Sequence, residues 1–142
     1  SAGILAGTEL KIQDKLHRFG LEVGMAFQLI DDVLDYNGNS DELGKNIGDD
    51  LAEGKPTLPL IFALQHVNAS QKQLLTTAIK EGGLEHLDEI ISIVRESGAL
   101  EYTRKKAEER IAIALDCLSV VPDSTYKTGL ELITQTAIER TK

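Results

Sequence analysis

Three aspartates occupy positions where a buried α-helix would normally carry apolar residues. In the stretch FQLIDDVLD, Asp31, Asp32 and Asp35 follow an apolar run and have apolar residues between them. At about 3.6 residues per turn, Gln28, Asp31 and Asp35 share one face of a helix. Asp32 lies about 100° away, and most of the remaining circumference is apolar, which is typical of a helix inside a bundle. We therefore expect the polar face to line an internal cavity, with Asp32 in a lesser role. A solvated acidic face is the alternative.

The spacing of two of these aspartates indicates a bound cation. The carboxylates of Asp31 and Asp35 lie one helical turn apart, where like charges repel each other. Oxygen ligands on one helix face, with further positions left open, suit Mg²⁺, which keeps water ligands and shares itself with substrate phosphates. The three histidines are scattered, and none has a cysteine at zinc-ligand spacing. The pattern therefore favours Mg²⁺ bound by Asp31 and Asp35.

The segment that follows, residues 37–55, is rich in glycine, aspartate and lysine. Lys45 and Lys55 each come directly after a glycine, so their charges could reach phosphate oxygens while the backbone stays close to a ligand. Gly-Lys pairs are also common in loops that serve only solubility. Because metal-binding carboxylates precede these lysines, we interpret the whole segment as a clamp for a metal–diphosphate complex.

Helical periodicity extends along the chain, and no stretch alternates with a period of two residues. A long helix is expected from Glu9 to Tyr36, capped by Thr8, and an irregular segment follows over residues 37–55, with a possible turn at residues 41–43. The remaining helices are expected at Leu58–Val67 after Thr57, from a Ser70 cap to Gly82, at Leu84–Ser97, at Ala99–Val121, and from an Asp123 or Ser124 cap to Arg140. Short connections favour antiparallel neighbours, so the predicted class is all-α.

Composition narrows the classes of function. The chain has 142 residues, of which 42% are hydrophobic and 27% charged, as expected for one soluble globular domain. A net charge of −8 without a basic run argues against nucleic acid as a partner. No apolar run approaches the roughly 20 residues of a transmembrane segment. The one cysteine, Cys117, excludes an internal disulfide, fits a reducing cytoplasm and lies on an apolar helical stripe, where a core role is expected.

Two motifs resemble those of a known enzyme family. GMAFQLIDDVLD, residues 24–35, resembles the second aspartate-rich motif of the trans-prenyl diphosphate synthases. LGKNIGDDLAEGKPTLPL, residues 43–60, resembles the segment that follows this motif in the long-chain members, with the bacterial octaprenyl diphosphate synthases most similar. The resemblance covers the whole chain. It implies an all-α helical bundle of the isoprenoid synthase type, around a deep cavity.

The resemblance also implies an activity and a set of site residues. The family condenses isopentenyl diphosphate head to tail onto an allylic prenyl diphosphate, with Mg²⁺ as cofactor. The product here would be a long all-trans polyprenyl diphosphate, octaprenyl by the resemblance, used for quinone side chains. The full enzyme would be a cytoplasmic homodimer. The implied roles are metal binding by Asp31 and Asp35, with Asp32 and Asp50 acting through water, diphosphate contacts by Lys45 and Lys55, and contacts to substrate and developing cation by Phe27 and Gln28.

The chain departs from the family pattern in one large respect. The earlier aspartate-rich motif and the upstream basic residues that grip isopentenyl diphosphate are absent from residues 1–142. We therefore expect the chain to be the C-terminal portion, about half, of such an enzyme, binding diphosphate weakly and inactive by itself. Two alternatives stay open: a terpene cyclase or squalene synthase-like enzyme, and a non-catalytic helical partner subunit related to the synthases.

Overall fold

The computed structural model describes residues 2–37, 49–82 and 85–140. Within these ranges the chain forms α-helices and one 3₁₀ turn, and no strand, which confirms the all-α prediction. The elements are α1 (Ala2–Asn37), α2 (Asp49–Ala52), α3 (Leu58–His66), α4 (Ala69–Glu81), α5 (Leu87–Glu96), α6 (Ala99–Cys117), the 3₁₀ turn (Leu118–Val120) and α7 (Thr125–Glu139). No helix in the described ranges is both long enough and apolar enough to cross a membrane.

Most differences from the predicted boundaries concern helix caps and helix ends. The helix α1 begins at Ala2, so the prediction that Thr8 caps it was wrong. Residues 2–7 contain no helix breaker other than glycine, and the helix continues back through them. The predicted cap Ser70 lies inside α4, whose true N-cap is Asn68. Asn68 and Gln71 exchange side chain-to-backbone hydrogen bonds of 2.8 and 3.2 Å, forming a capping box. Ser70 has the same spacing to Gln73 but lies inside the helix.

Other boundaries were predicted more closely. Ser124 caps α7 by accepting a hydrogen bond from the Lys127 backbone N–H at 3.1 Å, as one of the two predicted alternatives. Thr57 occupies the N-cap position of α3, although its side chain makes no capping hydrogen bond. The predicted helix to Val121 ends as a 3₁₀ turn, and the short helix α2 was not predicted. The turn predicted at residues 41–43 lies outside the described residues.

The chain folds as two compact units, which are described separately. The first unit contains residues 1–28 and 106–142, and the second contains residues 29–105. In the first unit, α1 packs against α6, the 3₁₀ turn and the residue that follows it, through a core of Phe19, Val23, Ala114, Cys117, Leu118 and Val121. The burial of Cys117 confirms its predicted place in a core.

An ion pair accompanies this core of the first unit. Glu22 of α1 is only 5% exposed, and its carboxylate lies 3.2 Å from the Arg110 guanidinium of α6. Arg18, one helical turn before Glu22, lies further away at 3.8 Å and is more exposed. Because a buried carboxylate is costly without a partner, Arg110 is the main compensation for the charge of Glu22.

The second unit has its own core, to which the last turns of α1 contribute. The helix α3 packs against α4 and α5, and α2 packs against α4. The fully buried side chains of this core are Val33 and Tyr36 of α1, Leu51 of α2, Leu60 and Ala63 of α3, Leu75 of α4, Ile90 and Val94 of α5 and Ala99 of α6.

A tight turn ends α2 and begins the connection to α3. The Lys55 N–H donates to the Asp50 carbonyl at 2.9 Å, and the Gly54 N–H donates to the Leu51 carbonyl at 2.9 Å. These two bonds form a Schellman motif, which requires a left-handed residue just after the helix. Gly54 provides it with φ = 73°, and a Cβ at Gly54 would lie 2.9 Å from the Ile79 carbonyl oxygen of α4.

The substitution Gly54→Ala is therefore expected to lower the free energy of unfolding by about 2–3 kcal/mol, from backbone strain together with the backbone clash. Gly98→Ala is the matched control, since Gly98 also has positive φ (86°) but no described atom within 4 Å of the added Cβ. Urea unfolding of both variants measures the difference. Equal losses would show that the contact with Ile79 costs nothing.

The ion pair of the first unit gives a second expectation. Arg110→Met should lower the free energy of unfolding by about 1–2 kcal/mol, because the buried Glu22 carboxylate then keeps only a distant partner. Arg18→Met removes the same charge from the same carboxylate at 3.8 Å and should cost at most about 0.5 kcal/mol. Thermal or urea unfolding compares the two. An Arg18 effect as large as that of Arg110 would contradict the assignment.

Candidate functional site

Two of the three aspartates on α1 are buried. Asp32 and Asp35 are 5% and 7% exposed, whereas Asp31 and Gln28 are exposed. The expected inward seam of Gln28, Asp31 and Asp35 is therefore wrong for Gln28 and Asp31 in this chain and correct for Asp35, and the lesser role expected for Asp32 stays a prediction. The buried side of the helix runs from Asp35 through Asp32 to the core residues Tyr36 and Val33, all of which belong to the second unit.

A second aspartate contacts Asp35 from a different element. The helix α2 brings the backbone N–H of Asp50 to the Asp35 Oδ1, to which it donates across 3.4 Å. Asp50 is itself buried, at 8% exposure. Besides burial, the charges of Asp35 and Asp50 both raise the pKa of the Tyr36 hydroxyl, so both carboxylates act on the same buried group. Buried carboxylates need positive charge or hydrogen-bond donors to compensate them. We refer to Asp35 and Asp50 together as the acidic centre of the second unit.

Lys55 supplies positive charge beside this acidic centre. Its Nζ lies 3.6 Å from the Asp50 Oδ1 and 2.9 Å from the Glu53 Oε2. The hydrogen bond and charge of Glu53, followed by the charge of Asp50, raise the pKa of Lys55 above its ordinary value. The ammonium group therefore stays charged at neutral pH. With 58% of its side chain exposed, Lys55 remains accessible to an anion from solvent.

Tyr36 is a site residue that sequence reasoning missed. Its side chain is fully buried, and burial raises the pKa of its hydroxyl well above the usual range, with the charges of Asp35, Asp50 and Asp32 adding to the effect. The nearby Thr57 acts in the opposite direction, although neither hydroxyl makes a hydrogen bond of good geometry among the described residues. Three carboxylates therefore act on one neutral hydroxyl. The sequence signal that could have identified Tyr36 is its position directly after Asp35.

Arg95 was also missed, and no sequence signal pointed to it. It lies 59 residues after Tyr36, in the last turn of α5, and its Nε donates a 2.7 Å hydrogen bond to the Tyr36 backbone carbonyl. This contact joins the end of α1 to α5 within the second unit.

The other predicted site residues, Phe27, Gln28 and Lys45, do not belong to the described part of the second unit. Phe27 and Gln28 belong to the first unit, where Phe27 is half-buried against the core described above. Lys45 lies outside the described residues, so its diphosphate contact stays a prediction. The structure therefore brings together Asp35, Asp50 and Lys55 of the predicted set, with Asp32 close enough for its charge to affect Tyr36.

The acidic centre suits Mg²⁺ better than a structural zinc ion. In the described ranges, no three His, Cys, Asp or Glu side chains are grouped so as to hold an ion by themselves. A structural zinc site would need such a group. Mg²⁺ is usually held by one or two carboxylates and completes its shell with water and substrate phosphates. Asp35 and Asp50 therefore suit a cation that arrives together with a phosphate ligand.

Comparison with curated proteins places the chain among long-chain prenyl synthases. It is 48% identical over 139 residues to an all-trans-nonaprenyl-diphosphate synthase (geranyl-diphosphate specific) of Rhodobacter capsulatus, covering 98% of this chain and 42% of that protein. It is 44% identical to the octaprenyl diphosphate synthase of Escherichia coli, covering 98% of this chain and 43% of that protein. The chain thus spans less than half the length of these relatives.

Solved structures agree with the sequence comparison. A polyprenyl synthase of Caulobacter crescentus, complexed with calcium and isoprenyl diphosphate, superposes with a TM-score of 0.83 at 34% identity. The superposition covers 91% of this chain and 40% of that one. Such a likeness confirms the predicted isoprenoid synthase type of helical fold. Residues 1–96 match the family model described as Polyprenyl synthetase, and the chain therefore belongs to the polyprenyl synthetase family.

Proposed function

We propose that this chain supplies the second metal–diphosphate half-site of a trans-polyprenyl diphosphate synthase. The whole protein would condense isopentenyl diphosphate with an allylic prenyl diphosphate to make a long polyprenyl chain. The observation that carries the proposal is the buried pair of Asp35 and Asp50, with the charged Lys55 beside it, on the motifs of the family. Calcium and isoprenyl diphosphate in the Caulobacter crescentus synthase support a hard divalent cation bound with diphosphate.

Each residue of the half-site has a role that follows from its surroundings. Asp35 and Asp50 would hold Mg²⁺, and Asp31, which the resemblance also assigns to the metal, would have to reach the ion from its exposed position. Bound Mg²⁺ would supply positive charge against the negative charge that develops on a diphosphate leaving group. Lys55 would bind diphosphate oxygens as a point charge, while Glu53 and Asp50 hold its ammonium near the site. Apolar side chains of α1 and α3 pack in the core of the second unit, and such packing would help to exclude water from a reactive cation once substrate is bound.

The extent of the chain limits what it could do alone. Because it spans 42–43% of its relatives, we propose that it forms the C-terminal portion of a larger synthase domain, which contains the facing half of the site. Octaprenyl as the product is proposed from the resemblance to the octaprenyl synthases. Assembly as a homodimer and a cytoplasmic location stay predictions. The alternatives of a cyclase and a non-catalytic subunit have less support, since the named relatives are synthases and the carboxylates are retained.

Binding by the chain itself is the first test. Asp35→Asn should weaken Mg²⁺-dependent binding of an allylic prenyl diphosphate by at least about tenfold, because a metal ligand loses its charge. Isothermal titration with and without Mg²⁺ measures this. Asp14→Asn, an exposed position on α1, is the matched control. Unchanged affinity in a folded Asp35→Asn chain would remove Asp35 from the site.

Turnover requires the rest of the domain and is tested in a chimera. The corresponding part of the Escherichia coli enzyme is replaced by this chain, and products are separated by length. We expect chain elongation that depends on isopentenyl diphosphate, and we expect Asp31→Ala to lower kcat by about a hundredfold or more while the fold stays intact. Cyclic products formed without isopentenyl diphosphate would favour the cyclase. A folded but inactive chimera would favour the non-catalytic subunit.

A further inference from the structure

Two carboxylates pair with the ammonium group of Lys55. The Lys55 Nζ lies 2.9 Å from the Glu53 Oε2 and 3.6 Å from the Asp50 Oδ1, so Glu53 is the nearer partner. The shorter distance is that of a charge-assisted hydrogen bond, whereas the longer one exceeds hydrogen-bond length. Glu53 is also a larger cause of the raised pKa of Lys55 than Asp50 is. An anion that binds Lys55 must therefore share the ammonium group with Glu53.

The backbone of the turn after α2 fixes this arrangement. The N–H groups of three successive residues, Glu53, Gly54 and Lys55, each donate to a carbonyl of α2, over 2.9–3.1 Å. Gly54 reverses the chain with φ = 73°, and the side chains on its two sides lie next to each other. The turn thus keeps the Glu53 carboxylate beside the ammonium group without help from a ligand.

The two acids differ in burial, and therefore in what can neutralise them. The Asp50 side chain is only 12% exposed and belongs to the acidic centre, where Mg²⁺ would bind in the proposed half-site. The Glu53 side chain is 61% exposed, and that of Lys55 is 58% exposed. The pair of Glu53 and Lys55 is therefore open to solvent, from which a diphosphate arrives.

A divalent cation reverses the sign of the charge at this place. Asp50, Glu53 and Lys55 together carry one net negative charge, which repels a free diphosphate. With a divalent cation on Asp50, the ion and the same three residues carry one net positive charge, which attracts it. Without the Glu53 carboxylate, the three positions would already be neutral before any metal binds, and free diphosphate would meet no net repulsion at Lys55.

We propose that Glu53 is a specificity residue that restricts the Lys55 end of the half-site to diphosphate carrying a divalent cation. This role rests on the proposed function, since it assigns a selectivity to the same site. A phosphate oxygen that is hydrogen-bonded to Lys55 would lie within about 6 Å of the Glu53 carboxylate, which is two hydrogen-bond lengths. The repulsion between them grows with the net charge of the ligand, and Mg²⁺ cancels two of its negative charges.

The test compares dissociation constants with and without metal. NMR titration with inorganic diphosphate, in excess Mg²⁺ or in metal-free buffer with EDTA, follows even weak binding to the chain. Glu53→Gln removes the charge with little change in shape. We expect it to tighten metal-free binding about fivefold and Mg²⁺-dependent binding by less than about twofold, from one unit charge about 6 Å away at physiological salt. Glu53→Asp keeps the charge and should retain most of the selectivity.

Glu89→Gln is the matched control. The Glu89 side chain is 63% exposed, lies on α5 of the same unit and is 3.9 Å from the His86 ring, away from any lysine pair. Its substitution changes the net charge of the chain by the same amount and should leave both dissociation constants unchanged. A gain as large as that of Glu53→Gln would assign the effect to overall charge and overturn the role of Glu53.

The remaining outcomes separate this role from the proposed function. No gain in metal-free binding by Glu53→Gln, or equal gains with and without Mg²⁺, would overturn the selectivity while leaving the half-site intact. Weaker Mg²⁺-dependent binding would overturn it too, because Glu53 would then position Lys55 for the ligand. If the unsubstituted chain binds no Mg²⁺–diphosphate, the proposed function fails. The competition for Lys55 is then judged by the metal-free titration, where equal affinities of Glu53→Gln and Glu89→Gln would overturn it.

Discussion

Buried negative charge at the end of α1 is the constraint on which the second unit depends. Each carboxylate removed from water costs several kcal/mol unless charge or hydrogen bonds compensate it, and the helix terminus adds its own partial charge. Asp32, Asp35 and Asp50 are all buried here. Among the described residues, the Asp50 N–H and the Lys55 ammonium bring compensating groups from α2 and the turn that follows it, and Arg95 of α5 donates to the Tyr36 carbonyl. The packing of the helices in that unit therefore also determines where these charged groups lie.

A backbone turn converts a sequence spacing into a contact. Five residues of extended chain span about 17 Å, yet the Lys55 Nζ lies 3.6 Å from the Asp50 carboxylate. The short helix α2 and its Schellman turn bring the two together, and only glycine fits Gly54 in this turn without strain and without a clash against α4. The glycine before the lysine thus has a positional role, beyond allowing a close approach of backbone to ligand.

The errors of sequence reasoning have identifiable causes. Asn68 and Ser70 are both good capping residues, and each has a glutamine three residues later, Gln71 or Gln73, as a capping box requires, so local sequence did not decide between them; the helix uses Asn68 with Gln71. The helical period correctly related Asp31, Asp32 and Asp35 to one another in angle. It does not give the rotation of the helix about its axis relative to the core, so Asp31 was wrongly expected to face inward, and the burial of Asp32 was not predicted.

The sequence by itself determined the helical class, the family and most helix boundaries, and it predicted the acidic and basic residues of the proposed half-site, because these depend on local periodicity, capping and short motifs. The tertiary structure decided which of the described aspartates are buried, that the Asp50 N–H reaches Asp35, and that Arg95 bonds to the Tyr36 carbonyl. The reason is physical. Contacts between residues 15 or 59 positions apart follow from how whole helices pack, and no local pattern encodes that geometry.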